Sequence, residues 1–234
     1  RPIFNNLMMK YATDFIGCSD EAGIGLFGKE QPFVMLPNGI DLDRYRNVPV
    51  TKAEMHAQLG IPEDAFVIGH IGRFEEQKNH RLLLKIVQHI LKKHPNTYLL
   101  SVGAGSLEAE IHGLAKELKI EDHVLFLGER EDIAELLKAM DVFLLPSLYE
   151  GLPIVAVEAQ AANVKLVLST EVSKDTVLSE NVRFVPLDAE LDRWEAEIMG
   201  NPQENSTKQE MEAFDMLKTA KALEKIYDAT EGTA

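Results

Sequence analysis

Cysteine and positive charge are scarce in this sequence, and each scarcity excludes something. One cysteine in 234 residues, Cys18, cannot form an internal disulfide, which fits a reducing compartment. Lys and Arg total 24 against 38 Asp and Glu, a formal net charge of -14. That balance excludes a broad basic surface for nucleic acid or anionic lipid, so an anionic ligand needs a local pocket. No run approaches the roughly 18 to 20 apolar residues of a membrane span, and no basic-then-apolar signal-peptide pattern opens the chain. The resulting expectation is a cytoplasmic protein. The first residue is Arg1 rather than Met, and apolar Ile3-Phe4 and Leu7-Met8-Met9 follow at once, which reads as the interior of a larger protein. Asn205-Ser206-Thr207 spells a glycosylation sequon, but without a secretory signal it reads as polar helix-start chemistry.

Two further signatures are incomplete. Histidines 56, 70, 80, 89, 94, 112 and 123 show no metal-ligand spacing with cysteines or carboxylates, so they are expected on helix surfaces or in the core, and no metal site is expected. Gly103-Ala104-Gly105 lacks the third glycine of the dinucleotide fingerprint, because Glu108 stands there. A dinucleotide-dependent dehydrogenase is therefore disfavoured.

What is present is a repeating alternation. Apolar runs at 66–71, 98–102, 123–127, 141–145, 165–168 and 182–185 are separated by helical patterns. Near-continuous apolar strands between helices predict a parallel sheet covered on both faces, a doubly wound, Rossmann-like α/β fold. Residues 79–93 place Leu82, Leu83, Ile86, Val87, Ile90 and Leu91 on one stripe before Pro95. Ser106 is a candidate N-cap for a helix over 106–119, Asp132 for one over 133–139, and Pro153 suits the first turn of a helix reaching about 162. A last helix is expected over about 206–228. Ahead of the alternation, residues 1–12 read as helix, 14–17 as a short strand and 20–28 as a helix ending in Gly28; Pro37-Asn38-Gly39 reads as a turn using the tolerance of Gly and Asn for positive φ. The expected division is 1–32, 33–204 and 205–234.

Two loops carry the chemistry. Gly72-Arg73-Phe74-Glu75-Glu76-Gln77-Lys78-Asn79 lies between the first strand and its helix, where doubly wound sheets bind ligands. Two cations five residues apart suit a diphosphate, Arg73 as a planar fork and Lys78 as a compact charge. Pro146-Ser147-Leu148-Tyr149-Glu150-Gly151-Leu152-Pro153 leads from a strand into a helix, and the free amides near Gly151, Leu152 and Ile154 form an anion-binding helix start. Glu158, five residues past Pro153, stands roughly 7 to 8 Å up that helix. Both Glu150 and Glu158 sit among apolar residues, where a carboxylate needs a partner.

Together with Pro37-Asn38-Gly39-Ile40-Asp41 and Phe126-Leu127-Gly128-Glu129-Arg130, these loops resemble glycosyltransferase family 4, nearest to bacterial capsular and exopolysaccharide enzymes. The resemblance runs from about residue 1 to about 187. It implies the C-terminal, donor-binding half of a retaining enzyme with the two-domain GT-B fold, residues 1–32 being the end of an acceptor domain. Arg73 and Lys78 match the pair that neutralises the donor diphosphate, Glu158 the carboxylate that takes the ribose hydroxyls, and Glu150 the residue facing the transferred sugar. The backbone from Gly151 through Leu152 and Pro153 to Ile154 lies beside that sugar. Glu129 and Arg130 match the turn at the base, and Gly72, Gly103 and Gly105 line the same crevice.

The implied reaction moves a sugar from a nucleoside diphosphate sugar, a uridine one, to a glycan or lipid-linked acceptor held by an N-terminal domain. The implied place is the cytoplasm, at the inner face of the membrane. Fixed cations and amide dipoles can stabilise the departing diphosphate, so no cofactor or metal is expected. Asp41-Leu42-Asp43 spells a metal-binding pattern of other glycosyltransferases but reads here as turn chemistry. Two departures stand out: Asn163-Val164-Lys165 replaces the usual small residue and Pro, and Glu171-Val172-Ser173-Lys174-Asp175 contains no glycine. The alternatives are a nucleotide-sugar-binding module without turnover, and a GT-B epimerase or phosphorylase. The 234 residues alone are expected to bind donor but transfer little.

Overall fold

A computed structural model describes residues 9–202 and 209–231. The sequon, most of the expected first helix and the start of the expected last one lie outside the described residues. The chain divides into two compact units, Arg1–Leu42 with Gln209–Ala234, and Asp43–Lys208.

In the first unit, strands β1 (Ile16–Gly17) and β2 (Val34–Met35) pair in parallel. The helix Asp20–Phe27 between them starts at Ser19, whose Oγ accepts from the Ala22 amide, and ends at Gly28 with φ 89°. The helix Met216–Glu231 is joined to residue 40 by the backbone: the Ile40 amide donates to Phe214 O (2.7 Å) and the Met216 amide to Ile40 O (2.9 Å). This corrects the reading of Pro37-Asn38-Gly39, since neither Asn38 nor Gly39 has positive φ. A Cβ on Gly39 would lie 2.6 Å from the Met216 Cα, so glycine is required there by close packing.

The second unit holds β3 (Phe66–Ile71), β4 (Thr97–Val102), β5 (Val124–Phe126), β6 (Val142–Leu145), β7 (Lys165–Ser169) and β8 (Val182–Val185). They form one parallel sheet in the order β5-β4-β3-β6-β7-β8, with β3 paired to β6 through Ile68↔Val142 and Gly69↔Phe143. The fold is the expected doubly wound α/β class. Every residue of β6 and β7 is buried, as a sheet covered on both faces requires. The helix His80–Leu91 supplies Leu83, Leu84, Ile86, Val87 and Ile90 to the core, each stabilising by about 1.5–3 kcal/mol relative to an exposed side chain. Leu84 thus takes a full core place, while Leu82 and Leu91 pack at its margin. From the helix Leu191–Met199, fully buried Trp194 joins the same cluster.

Three caps differ from expectation. Glu75, from another loop, accepts from the Ser106 amide (3.3 Å) and Oγ (3.0 Å), so that helix runs Glu108–Glu117 without a side-chain cap. Asp132 occupies the N-cap place of Ile133–Lys138, but its carboxylate is taken by Arg130. Pro153 is itself the N-cap of Ile154–Ala161, with extended ψ 116°.

Both departures also have structural accounts. Asn163 follows that last helix at φ 64°, a left-handed position that asparagine tolerates. Lys165 Nζ is buried on the C-terminal carbonyls of Leu191–Met199, donating to Glu197 O, Ile198 O (3.3 Å) and Gly200 O (2.6 Å). Burial pushes its pKa down. The segment 170–181 has no residue at positive φ and so needs no glycine.

Candidate active site

The strand order reverses direction between β3 and β6, and the crevice at the carboxyl ends of such strands is where doubly wound sheets bind ligands. The loops after β3 and β6 meet there. Lys78 Nζ lies 2.5 Å from Glu150 Oε1, with the two side chains only 15% and 9% exposed. Ser147 Oγ donates to the same carboxylate oxygen at 3.0 Å, and Ser169 Oγ in turn donates to Ser147 O at 2.6 Å. Backbone atoms fix Glu150 from the other side, its amide donating to Glu171 O (3.1 Å) and its carbonyl accepting from the Ser173 amide (3.0 Å). The glycine-free segment therefore grips this residue through main chain alone.

More hydrogen bonds stitch the same loops. Asn79 Nδ2 donates to Pro146 O (3.0 Å), Gln77 Nε2 to Tyr149 O (2.9 Å), and the Leu148 amide to Gln77 O (2.8 Å). Gly72 lets the Lys78 chain lie against the strand end, since a Cβ there would stand 3.1 Å from Lys78 Cδ and 3.2 Å from His70 Nε2. On the other flank, the Phe74 amide donates to Ala104 O (3.0 Å) and the Gly103 amide to Gly128 O (2.8 Å). Gly103 adopts φ 131° with its Cα turned to Gly72 O, where a Cβ would come within 2.2 Å; a Cβ on Gly105 would come within 2.6 Å of Phe74 O. The four loops form one connected rim.

Arg73 stands exposed on this rim and makes no side-chain ion pair among the described residues. The amides of Gly151 and Leu152 donate to no backbone carbonyl, and Ile154 opens its helix with a free N–H. An unpaired guanidinium and a set of open amides are what an anion requires. Beneath the rim, His70 Nδ1 donates to Leu144 O (2.9 Å), and His80 stacks on Phe74 with centroids 4.3 Å apart. Burial holds His70 well below its ordinary pKa and lowers His80 to about 4, Lys78 adding to both shifts, so both imidazoles are neutral near pH 7.

Glu158, half-buried on Ile154–Ala161, accepts from the Tyr45 hydroxyl at 2.6 Å. Burial raises its pKa, while the Tyr45 hydrogen bond and Arg44 pull it down. Sequence reasoning missed Tyr45; its only signal is a phenol directly after Arg44, within a charged short helix (Leu42–Arg46). The one predicted pair not drawn into the rim by its side chains is Glu129 and Arg130. Both are exposed, and Arg130 forms a fork with Asp132 at 2.7 and 2.5 Å. Asp41 and Asp43 flank the start of Leu42–Arg46. The histidine expectation holds for His56, whose ring bonds Pro62 O and Ala139 O, and for His123, which bonds Thr97 O. His89 and His94 are also partly exposed at the surface, but they lie beside Asp192 and Glu195, a grouping that spacing along the chain does not reveal. No helix of the described residues is long and apolar enough to cross a membrane.

Comparison with known proteins bears on this geometry. EpsF of Bacillus subtilis (strain 168), provisionally named a glycosyltransferase, is 39% identical over 74% of this chain and 46% of its own length. An Escherichia coli UDP-Gal:alpha-D-GlcNAc-diphosphoundecaprenol alpha-1,3-galactosyltransferase is 32% identical over 58% of this chain and 36% of its own length. The chain thus spans less than half of these relatives. Among solved structures, HepE of Anabaena in complex with UDP and glucose superposes with a TM-score of 0.82 at 23% identity, covering 97% of this chain and 66% of HepE. The pattern described as glycosyl transferases group 1 matches residues 51–186, which contain the rim from Gly72 to Ser173 and also Glu158, and the chain belongs to that family.

Proposed function

We propose that this chain is the donor-binding half of a retaining, family 4 glycosyltransferase with residues 1–32 contributed by its acceptor domain. The proposed reaction moves a sugar from a UDP-sugar to a glycan or lipid-linked acceptor in bacterial surface polysaccharide synthesis, at the cytoplasmic face of the membrane. The observation that carries this reading is the rim at the strand-order reversal: unpaired Arg73 and open amides beside the Lys78–Glu150 pair. The glycosyltransferase and UDP-Gal names of the relatives, and the UDP bound to HepE, agree with it.

In this reading Arg73 and Lys78 take the diphosphate. Lys78 keeps one N–H on Glu150 and turns the others to phosphate oxygens, so the pair is an anchor rather than an obstacle. As the sugar–phosphate bond breaks, charge builds on the departing diphosphate; two fixed cations and the Gly151, Leu152 and Ile154 amides stabilise it without a metal. Pro153 fixes the angle at which those amides open. Glu150 faces the sugar, Glu158 takes the ribose hydroxyls against Tyr45, Gly103 and Gly105 keep the wall close, and the Glu129-Arg130 turn meets the base. The 234 residues bind donor, and transfer requires the acceptor domain.

Calorimetry with UDP and UDP-sugars tests the site: Arg73→Ala should weaken UDP binding at least tenfold, and unchanged affinity would remove the assignment. Turnover by the full-length protein over a panel of nucleoside diphosphate sugars tests the reaction. Donor binding without transfer to any acceptor would favour a binding module, and release of a free epimerised sugar would favour an epimerase.

A further inference from the structure

The helix His80–Leu91 runs away from the crevice, and at about 1.5 Å per residue His89 stands about 14 Å from its start. There it packs against Leu191–Met199, and three side chains turn lone pairs to one point. His89 Nε2 lies 3.1 Å from Asp192 Oδ1 and 3.0 Å from Glu195 Oε2, and the three ligand atoms all lie within 4.8 Å of one another. Around zinc, bonds of about 2.0–2.1 Å put tetrahedral neighbours about 3.3 Å apart, so both His89 distances are within a few tenths of an ångström of that edge. Asp192 and Glu195 share a helix face through their spacing of three. His94 Nε2 stands 3.5 Å from the other oxygen of Glu195, the place of a group that orients a metal-bound carboxylate.

A cation is already drawn to this point. Lys93 Nζ lies 3.2 Å from Asp192 Oδ1 and 2.9 Å from Glu195 Oε2, the same two oxygens. The Lys93 side chain is 56% exposed and free to swing into water, whereas Glu195 is 11% exposed and held. We infer that His89, Asp192 and Glu195 form a divalent transition-metal site, with zinc the best match to one imidazole and two carboxylates, where the metal competes with the Lys93 ammonium. Water completes the coordination. The metal clamps two helices of the second unit and takes no part in the proposed transfer.

Zinc titration of the chelator-treated, untagged chain, by calorimetry and thermal shift, tests this. Wild type should bind one equivalent more than Glu195→Gln and gain thermal stability with zinc, because a ligand bound only to the folded state stabilises it. Lys93→Met should bind at least tenfold more tightly, as its competitor is gone. Should Glu195→Gln fail to fold, Asp192→Asn, at a side chain 74% exposed, carries the comparison and should weaken zinc. Equal zinc uptake by wild type, Lys93→Met and the carboxamide variants, or no thermal gain in wild type, would overturn the inference. UDP affinity should be the same with and without zinc, so this result stands or falls apart from the donor site.

Discussion

The loop after β3 and the turn after β5 carry charged residues at the same edge of one sheet, yet they are built differently. Lys78 is bound to a carboxylate 72 residues away and nearly buried with it. Arg130 is bound to a carboxylate two residues away, in the open. A charge whose partner arrives from another loop requires the fold to bring the two together and to desolvate them. A charge satisfied by its own neighbour requires nothing of the fold. The first kind marks a constructed site and the second a self-contained turn.

Removing one member of the constructed pair should have the largest effect. Lys78→Ala leaves Glu150 without its cation at low exposure and should cost about 3–5 kcal/mol in denaturant unfolding, along with UDP binding. The double variant Lys78→Ala/Glu150→Gln should recover most of the stability and none of the binding; equal losses in single and double variants would dissolve the contrast.

Acid provides a second probe. Unfolded His80 takes a proton near 6.5 and the folded one only near 4, so the folded state is fully favoured above that window and loses stability as pH falls through it, by about 3 kcal/mol at most. Because His80 stacks on Phe74, amide exchange at 73–79 should rise at pH 5 while that at 128–132 does not. His80→Phe should flatten this acid limb.

Arg73→Ala should cost UDP about 1.5–3 kcal/mol of binding with little change in unfolding, since its side chain has no ion-pair partner to strand among the described residues. Glu158→Gln should raise the melting temperature at pH 7: burial raises the folded carboxyl's pKa, so its ionised form costs stability. That gain should shrink as pH falls and the wild-type carboxyl takes its proton. The smallest effect belongs to the self-contained turn, where Arg130→Ala should change UDP affinity less than about threefold and unfolding by less than about 0.5 kcal/mol.

Much of this was legible in the chain. Six apolar runs are the six strands of the sheet, because a strand buried on both faces needs no polar alternation. The capping box of Thr51 and Glu54 was passed over, because the helix it opens, Lys52–Leu59, has no clear apolar stripe to draw attention to it. What could not be read was partnership. Arg73, Lys78, Glu150 and Glu158 stood out by type and position, but nothing local pairs Lys78 with Glu150 or Tyr45 with Glu158, which are 113 residues apart. Ser106 and Asp132 have good capping chemistry and were diverted by Glu75 and Arg130, competitors that local propensity does not weigh. Gly39 looked like turn chemistry and proved to be clearance for a helix backbone.

The way Glu150 is held has an evolutionary consequence. Its grips on residues 171 and 173 are peptide groups, which every amino acid except proline carries in full. The side chains of Glu171, Val172, Ser173, Lys174 and Asp175 can therefore drift through many identities while the carboxylate keeps its place. A lineage can vary that segment without first losing the position of Glu150.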